Sequence, residues 1–200
     1  VPECAYYPGL DEVLAAAGIR YFFVDTHGLA NATAAPKRGE FAPLYTPSGV
    51  AAFARDKETS YQVWAAECGY PGHPDYREFY RDIGFDLPEE ELRDFMIDGK
   101  IRVNTGIKYY RITKRGNDKK ELYDPRRARE RAAEHAGNFV FNRQIQTKHL
   151  SGKLDRPPMV VAPYDAELFG HWWFEGPRFL DYVLRKLCYD QEEVKALTPR

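Results

Sequence analysis

The hydrophobic and polar positions of the chain form short apolar runs that alternate with amphipathic stretches. Residues 9–18, GLDEVLAAAG, predict a short helix, because acidic residues occupy its first turn and Gly18 ends it. The run at 20–24, RYFFV, predicts a buried parallel strand that ends in the polar cluster DTHG. Further apolar runs predict strands at 50–53, 107–113 and 159–162.

Helical patterns separate these strands. They cover residues 58–66, short segments between 74 and 98, a long stretch from Pro125 to about Leu150, and residues 177–187. Residues 28–49 are rich in Gly, Ala, Pro and Asn and predict a long loop.

The order of strand, polar loop and helix predicts an α/β fold, either a barrel or a doubly wound sheet. Several predicted strands end in acidic, histidine and aromatic residues, which favours a (β/α) barrel with its site at the carboxyl ends of the strands. A complete barrel takes about 250 residues. The 200 residues of this chain therefore predict part of a barrel.

Composition narrows the class of protein. A 44% hydrophobic and 30% charged chain is typical of a soluble globular domain, and a net charge of -1 gives no reason to expect nucleic acid or an anionic membrane as partner. No apolar run approaches the ~18 residues of a membrane span. Three cysteines without CxxC spacing argue against a disulfide framework or a zinc ribbon, so we expect a reducing, cytoplasmic location.

The aromatic content is higher than a core of this size requires. The chain has 14 Tyr, 12 Phe and 3 Trp residues. Sugar rings present flat C–H faces that pack on aromatic planes, so some of these side chains are expected to face a carbohydrate, although core packing explains most aromatic residues in proteins.

Two segments carry the candidate chemistry: residues 1–9, VPECAYYPG, and residues 164–177, YDAELFGHWWFEGP. They resemble the third and fourth conserved regions of glycoside hydrolase family 57. Residues 63–86, VWAAECGYPGHPDYREFYRDIGFD, are similar to the 1,4-α-glucan branching enzymes within that family.

The resemblance implies that residues 1–200 are part of the family's catalytic domain, an incomplete (β/α)7 TIM-like barrel. The family's first two motifs would lie upstream, and its fifth motif and C-terminal helical domain downstream. It also implies a reaction that retains anomeric configuration, with Glu3 as nucleophile and Asp165 as general acid/base. A retaining glycosidase needs two carboxyl groups about 5 to 5.5 Å apart, so we expect Glu3 and Asp165 to face one another at one end of the sheet.

Glu67 is the rival nucleophile, because residues 67–70, ECGY, echo residues 3–6, ECAY. We rank it second, since it lies in a loop at the end of a predicted helix, where a binding role is more natural. The candidate substrate-binding residues are Tyr6, His27, Trp64, Glu67, Tyr70, His171, Trp172 and Trp173. Core packing is the alternative for the aromatic ones, and at least one of the two adjacent tryptophans is expected in the core.

A metal site is the less favoured interpretation of His27. With Asp25, Asp165 and His171 it would resemble the ligands of polysaccharide deacetylases of related barrel form. The Asp-x-His pattern occurs often by chance, however, and no second histidine pair at helical spacing supports it. We therefore predict neither a metal nor a cofactor.

The function that this reasoning favours is 1,4-α-glucan branching through a covalent glycosyl-enzyme intermediate, with an α-1,4-glucan such as amylose as substrate. An α-amylase or a 4-α-glucanotransferase would use the same two carboxylates, and a glucan-binding module without catalysis is the alternative from another class. Branching enzymes of the family also place a loop tyrosine over the acceptor site. Tyr45 and Tyr61 flank a suitable loop, and the sequence does not assign the role to either.

Overall fold

The computed structural model of the protein describes residues 6–65, 68–114 and 116–198. The chain divides into two compact units. Unit 1 comprises Val1–Val63, Phe141–Tyr164 and Glu192–Lys195, and unit 2 comprises Trp64–Val140, Asp165–Gln191 and Ala196–Arg200.

Unit 1 contains the sheet. In chain order its elements are α1 (Leu10–Ala16), β1 (Tyr21–Val24), α2 (Thr26–Ala30), β2 (Leu44–Tyr45), β3 (Ala51–Ala54) and α3 (Lys57–Trp64, whose last residue belongs to unit 2). Strand β3 lies in the centre, with β1 parallel to it and β2 antiparallel to it. The register places Tyr21 opposite Ala51 and Leu44 opposite Ala52.

The two faces of this sheet differ. One face, with the helix and loop residues packed on it, forms a buried apolar cluster of Leu10, Leu14, Phe22, Leu29, Val50, Ala52 and Ala54. On β1 and β3 the aromatic rings of Tyr21, Phe23 and Phe53 contact one another, with centroids 5.8 to 5.9 Å apart. This follows from the alternation of side chains along a strand, because Phe22 is buried while Phe23 is 40% exposed.

The chain leaving β3 is tied to helix α6 (Pro125–Ser151) by Asp56. The Asp56 carboxylate is 2% exposed and accepts hydrogen bonds from the Thr59 amide (2.8 Å), the Gln146 amide nitrogen (2.9 Å) and Arg143 (3.3 Å). The Asp56 amide in turn donates to the Val161 carbonyl at 2.8 Å. A buried charge with this many partners is compensated, so Asp56 has a structural role.

Unit 2 is built from helices and turns. It contains α4 (Ile83–Asp86), α5 (Glu89–Leu92), α6 as far as Val140, and α7 (Gly176–Tyr189). Its core holds Tyr76, Trp173 and Phe179, which are 0 to 2% exposed. Helix α6 buries a stripe of small residues at four-residue spacing, Ala128, Ala132 and Ala136, all 0% exposed.

Asp82 organises the loop between α4 and α6. Its Oδ1 accepts from the Gly84 amide (2.9 Å) and the Thr105 hydroxyl (2.7 Å), and its Oδ2 accepts from the Gly106 amide (2.9 Å). Lys108 Nζ lies 3.3 Å from Oδ2. Burial alone would raise the pKa of Asp82, but these hydrogen bonds outweigh it and hold the pKa below its usual value.

The helices predicted from the sequence at 9–18, 58–66, 125–150 and 177–187 are confirmed as α1, α3, α6 and α7, and the strands at 20–24 and 50–53 as β1 and β3. The strand predicted at 107–113 is wrong. Residues 110 and 111 form only isolated bridges, because Gly106 (φ 77°) and Thr113 (φ 61°) turn the backbone at both ends. Residues 28–49 are not one long loop, since they hold the end of α2, a short turn and β2.

The strand predicted at 159–162 is also wrong, since these residues pair with the rest of the unit only at single points. The Met159 amide donates to the Phe41 carbonyl at 2.9 Å, and Val161 pairs with Asp56 as above. The fold is thus mixed α/β, with one three-stranded sheet among the described residues.

Within the described residues, no helix combines the length and apolar character that crossing a membrane requires.

Candidate active site

The Asp165 loop, residues 165–176, carries the candidate acid/base and its aromatic neighbours. Asp165 is exposed and stands at the start of a short turn, Ala166–Leu168, where its side chain makes no capping hydrogen bond. Its carbonyl oxygen accepts from the Leu168 amide at 3.1 Å. The carboxylate is therefore held by its backbone and remains open to solvent and to a ligand.

Backbone hydrogen bonds fold the Asp165 loop back on itself. The Trp173 amide donates to the Leu168 carbonyl at 2.8 Å, and the Gly170 and Gly176 amides both donate to the Trp173 carbonyl at 2.9 Å. Gly170 has a φ of 108°, a conformation that side-chain-bearing residues rarely adopt. The loop is thus defined by its own hydrogen bonds as well as by contacts with its surroundings.

The two adjacent tryptophans point in different directions. Trp173 is 2% exposed and packs on Tyr76 (centroids 5.4 Å apart) and Phe179 (4.9 Å), so it belongs to the core. Trp172 is 45% exposed, and its Nε1 donates to Glu167 Oε1 at 3.1 Å. The expectation that at least one of them is a core residue is confirmed.

Trp172 forms an aromatic platform with Phe79 and His171, in which Trp172 and His171 are exposed and Phe79 is half-buried. The Trp172 and Phe79 rings are 4.4 Å apart at 32°, and His171 meets both edge-on, at 5.1 Å from Trp172 and 5.6 Å from Phe79. Phe79 was not among the residues chosen from the sequence. Its only sequence signal is its position in the segment 63–86, because nothing along the chain reveals a contact with the distant Asp165 loop.

Tyr70 also packs in unit 2, where it is 9% exposed. Its hydroxyl donates to Asn138 Oδ1 at 2.6 Å, and its ring stacks on His135 at 4.7 Å. The Tyr76 hydroxyl lies 2.7 Å from His135 Nδ1. Burial is the main cause that lowers the pKa of His135 to about 4, followed by the charges of His73 and Arg131. Tyr70 and Trp173 are 9% and 2% exposed, so both rings pack in the core and neither turns an open face to a sugar.

Glu175, at the end of the Asp165 loop, is a buried carboxyl, which the sequence offers, with Glu167, as a replacement acid if Asp165 only positions the substrate. It is 5% exposed, and its Oε1 accepts from the Tyr123 hydroxyl at 2.7 Å and the Arg77 amide at 3.2 Å. Burial raises the pKa of Glu175 and outweighs the lowering effect of these two hydrogen bonds. Next to it, the Arg77 guanidinium lies 3.7 Å above the Phe174 ring.

The remaining described candidates lie apart along the chain. In unit 1, Tyr6 is 49% exposed and stacks on Phe22 at 5.8 Å, and the exposed His27 has its Nδ1 3.3 Å from Asp25 Oδ1. Trp64 at the end of α3 is 41% exposed. The two loop tyrosines considered from the sequence are also exposed, Tyr45 at 80% and Tyr61 at 66%.

Glu3 and Glu67, the predicted nucleophile and its rival, lie outside the described residues. Among the residues that the structure does describe, no group of three or more His, Cys, Asp or Glu side chains is placed to hold a metal ion.

An exposed carboxylate on a loop that also presents a platform of aromatic rings is an arrangement typical of carbohydrate-active proteins, because it combines proton transfer with stacking surface. Comparison with known proteins agrees with this class. The sequence profile of glycosyl hydrolase family 57 matches residues 1–200, and the chain belongs to this family.

Curated relatives carry the name of one activity. The chain is 36% identical over 226 residues to a 1,4-alpha-glucan branching enzyme of Thermococcus kodakarensis, a match that covers 99% of this chain and 31% of that protein. It is 38% identical over 191 residues to a probable 1,4-alpha-glucan branching enzyme of Mycobacterium tuberculosis, covering 93% of this chain and 31% of the relative. The chain thus spans about a third of the length of these relatives.

The similar solved structures are named for two different activities. The alpha-amylase AmyC of Thermotoga maritima superposes with a TM-score of 0.90 at 49% identity, covering 96% of this chain and 38% of that one. The family 57 branching enzyme of Thermococcus kodakaraensis, solved with glucose and additives, superposes with a TM-score of 0.74 at 35% identity, covering 94% and 33%. The chain is similar to enzymes named for branching and to one named for amylase activity.

Proposed function

We propose that the chain forms part of the catalytic domain of a retaining α-glucan transglycosylase, an incomplete (β/α)7 barrel whose reaction is 1,4-α-glucan branching. The observation that carries this proposal is the exposed Asp165 carboxylate on the same loop as the exposed Trp172 and His171. The names of the curated relatives support branching as the reaction.

In the proposed first step, the Glu3 carboxylate attacks the anomeric carbon of an α-1,4-linked glucose unit. The bond from that carbon to the glycosidic oxygen breaks, and Asp165 gives its proton to the departing oxygen. In the second step, the Asp165 carboxylate removes a proton from a glucose 6-hydroxyl, which attacks the anomeric carbon and releases Glu3. Two inversions give net retention.

The aromatic platform is proposed to bind glucose units next to Asp165. Trp172 offers a ring whose orientation is fixed by its hydrogen bond to Glu167, and Phe79 supports that ring from the other segment. Stacking of this kind holds a neutral sugar without fixing its hydroxyl groups, which leaves those groups to polar side chains. Tyr6, His27, Trp64 and Glu67 remain proposed substrate contacts, while Tyr70 and Trp173 pack in the core beneath.

Hydrolysis is the second candidate, favoured by the 49% identity to a protein named as an α-amylase. It needs the same two carboxylates and differs only in the acceptor, because water instead of a 6-hydroxyl would reach the glycosyl-enzyme intermediate.

The test uses the whole protein that carries this chain, with amylose as substrate. We expect α-1,6 linkages, measured by proton NMR, to accumulate with few new reducing ends. New reducing ends without α-1,6 linkages would replace branching by hydrolysis, and absence of any turnover would refute both candidates.

Variants of the same protein test the two carboxylates. Glu3→Gln should remove nearly all turnover, since an amide cannot form the glycosyl ester, whereas Glu12→Gln on the exposed side of α1 serves as the matched control. Asp165→Asn should slow glucan turnover about 10²- to 10⁴-fold yet spare the first step on an activated aryl glycoside, which needs little protonation. Full activity of Glu3→Gln would promote Glu67 to nucleophile.

A further inference from the structure

Glu175 is a buried carboxyl that the proposed reaction does not use. The Oε1 atom of its side chain accepts two hydrogen bonds, one from the Tyr123 hydroxyl and one from the Arg77 backbone amide. Its Oε2 is buried and, within the described part of the chain, has no hydrogen-bond partner. A buried carboxyl with one oxygen left without a hydrogen bond is destabilising by itself. The burial of Glu175 therefore indicates a structural or functional role in its surroundings.

Glu175 lies at the junction between the Asp165 loop and helix α7. Its carbonyl accepts from the Phe179 amide at 2.9 Å in the first turn of α7. The next residue, Gly176, packs so closely that an added Cβ would lie 2.9 Å from the Phe169 Cα. The close packing of Gly176 on Phe169 therefore fixes the end of the loop against α7. The Glu175 side chain links this fixed end to other segments through its two hydrogen bonds.

The two partners of Glu175 join different parts of the site. Arg77 stands two residues before Phe79, and its guanidinium covers the ring of Phe174 at 3.7 Å. Glu175 Oε1 thus connects the segment that carries Phe79 with the loop that carries Trp172, the two halves of the aromatic platform. Tyr123, just before α6, supplies the second donor to the same oxygen.

We propose that Glu175 is a positioning residue, which holds the Asp165 loop against the Arg77–Phe79 segment and so fixes Asp165 relative to the aromatic platform. This inference rests on the proposed function. Because the role needs an acceptor oxygen and no charge, a neutral amide at position 175 should fulfil most of it. Burial raises the pKa of the carboxyl and so favours its neutral form, which an amide resembles.

The test compares Glu175→Ala, Glu175→Gln and Tyr123→Phe in the whole protein, with Tyr189→Phe as matched control because Tyr189 is 83% exposed on α7. Each is assayed on maltoheptaose and on a dinitrophenyl maltoside, whose leaving group needs little protonation. A misplaced acid should lower kcat on maltoheptaose on the order of tenfold more than on the activated substrate. Glu175→Gln should restore most of the loss, and Tyr123→Phe should show a smaller loss in the same sense.

Equal losses on both substrates, or none in Glu175→Ala and Tyr123→Phe, would overturn the proposal. If Glu175→Ala does not fold, Tyr123→Phe decides, since it removes one hydroxyl only. Amide hydrogen exchange supplies a readout independent of activity, in which the Trp173 and Gly176 amides should exchange faster in Tyr123→Phe than in the wild type. A wild type inactive on both substrates and on amylose would refute the proposed function, while unchanged exchange would refute the positioning role of Glu175.

Discussion

His135 shows how a single buried residue makes stability depend on pH. Its ring is partly buried between Tyr70 and Tyr76, and burial, together with the positive charges of His73 and Arg131, lowers its pKa to about 4. The unfolded chain titrates near 6.5. The unfolded state therefore binds more protons between these two values, and the contribution of neutral His135 is present above pH ~6.5 and lost as pH falls toward 4.

We expect His135→Gln to reduce the pH dependence of unfolding. The free energy of unfolding of the wild type should fall by about 1–2 kcal/mol more than that of the variant between pH 7 and pH 4.5, a value discounted for partial solvent screening. Urea unfolding at the two pH values measures it. His149→Gln, at an exposed position on the same helix, should behave as the wild type. Parallel pH curves for His135→Gln and the wild type would contradict the assignment.

At the scale of elements, the sequence predicts best those helices and strands that a single local pattern determines. Helix α6 follows from Pro125 at its start and its exposed Arg and Glu residues, α7 from its apolar pattern, and β1 and β3 from short apolar runs. The prediction of a strand at 107–113 was wrong because Asp82 accepts a hydrogen bond from the Gly106 amide and the backbone of Thr113 is in the left-handed region. No local sequence pattern shows either feature. The site divides in the same way. Asp165, Trp172 and Glu175 belong to a motif, while Phe79 and the contacts of Glu175 depend on packing between distant segments.

The junction of the Asp165 loop with α7 supplies a prediction about packing. Gly176→Ala would place a Cβ 2.9 Å from the Phe169 Cα, a backbone atom that cannot move aside alone. We expect a loss of stability of about 1–3 kcal/mol from this overpacking. Gly137→Ala on α6 is the matched control, because its Cβ would lie 3.8 Å from Lys186 Cε, and better helix propensity should make it neutral or stabilising by up to ~1 kcal/mol.

Thermal unfolding of both variants measures the contrast. A Gly176→Ala variant as stable as Gly137→Ala would show that Phe169 and α7 can separate without loss, and would weaken the case for a fixed end of the Asp165 loop.

At the scale of the whole molecule, membership in glycosyl hydrolase family 57 extends over residues 1–200, while the described part contains one three-stranded sheet. A closed barrel needs strands that meet around a common axis, and the three described strands form a single sheet. The barrel, which the strand-end clusters favour and the family resemblance implies, therefore stays a prediction.

The contrast between Trp172 and Trp173 makes the protein its own optical probe. Of the three tryptophans of this chain, Trp173 is 2% exposed, whereas Trp64 and Trp172 are 41% and 45% exposed. The emission should accordingly contain a short-wavelength component that acrylamide hardly quenches and a longer-wavelength component that it quenches readily. Trp172→Phe and Trp64→Phe should each remove part of the quenchable component, and neither should alter the other. If a glucan chain covers the aromatic platform, maltoheptaose should protect the Trp172 emission from acrylamide quenching and leave the Trp173 emission unchanged. Fluorescence would then report binding to the site separately from turnover.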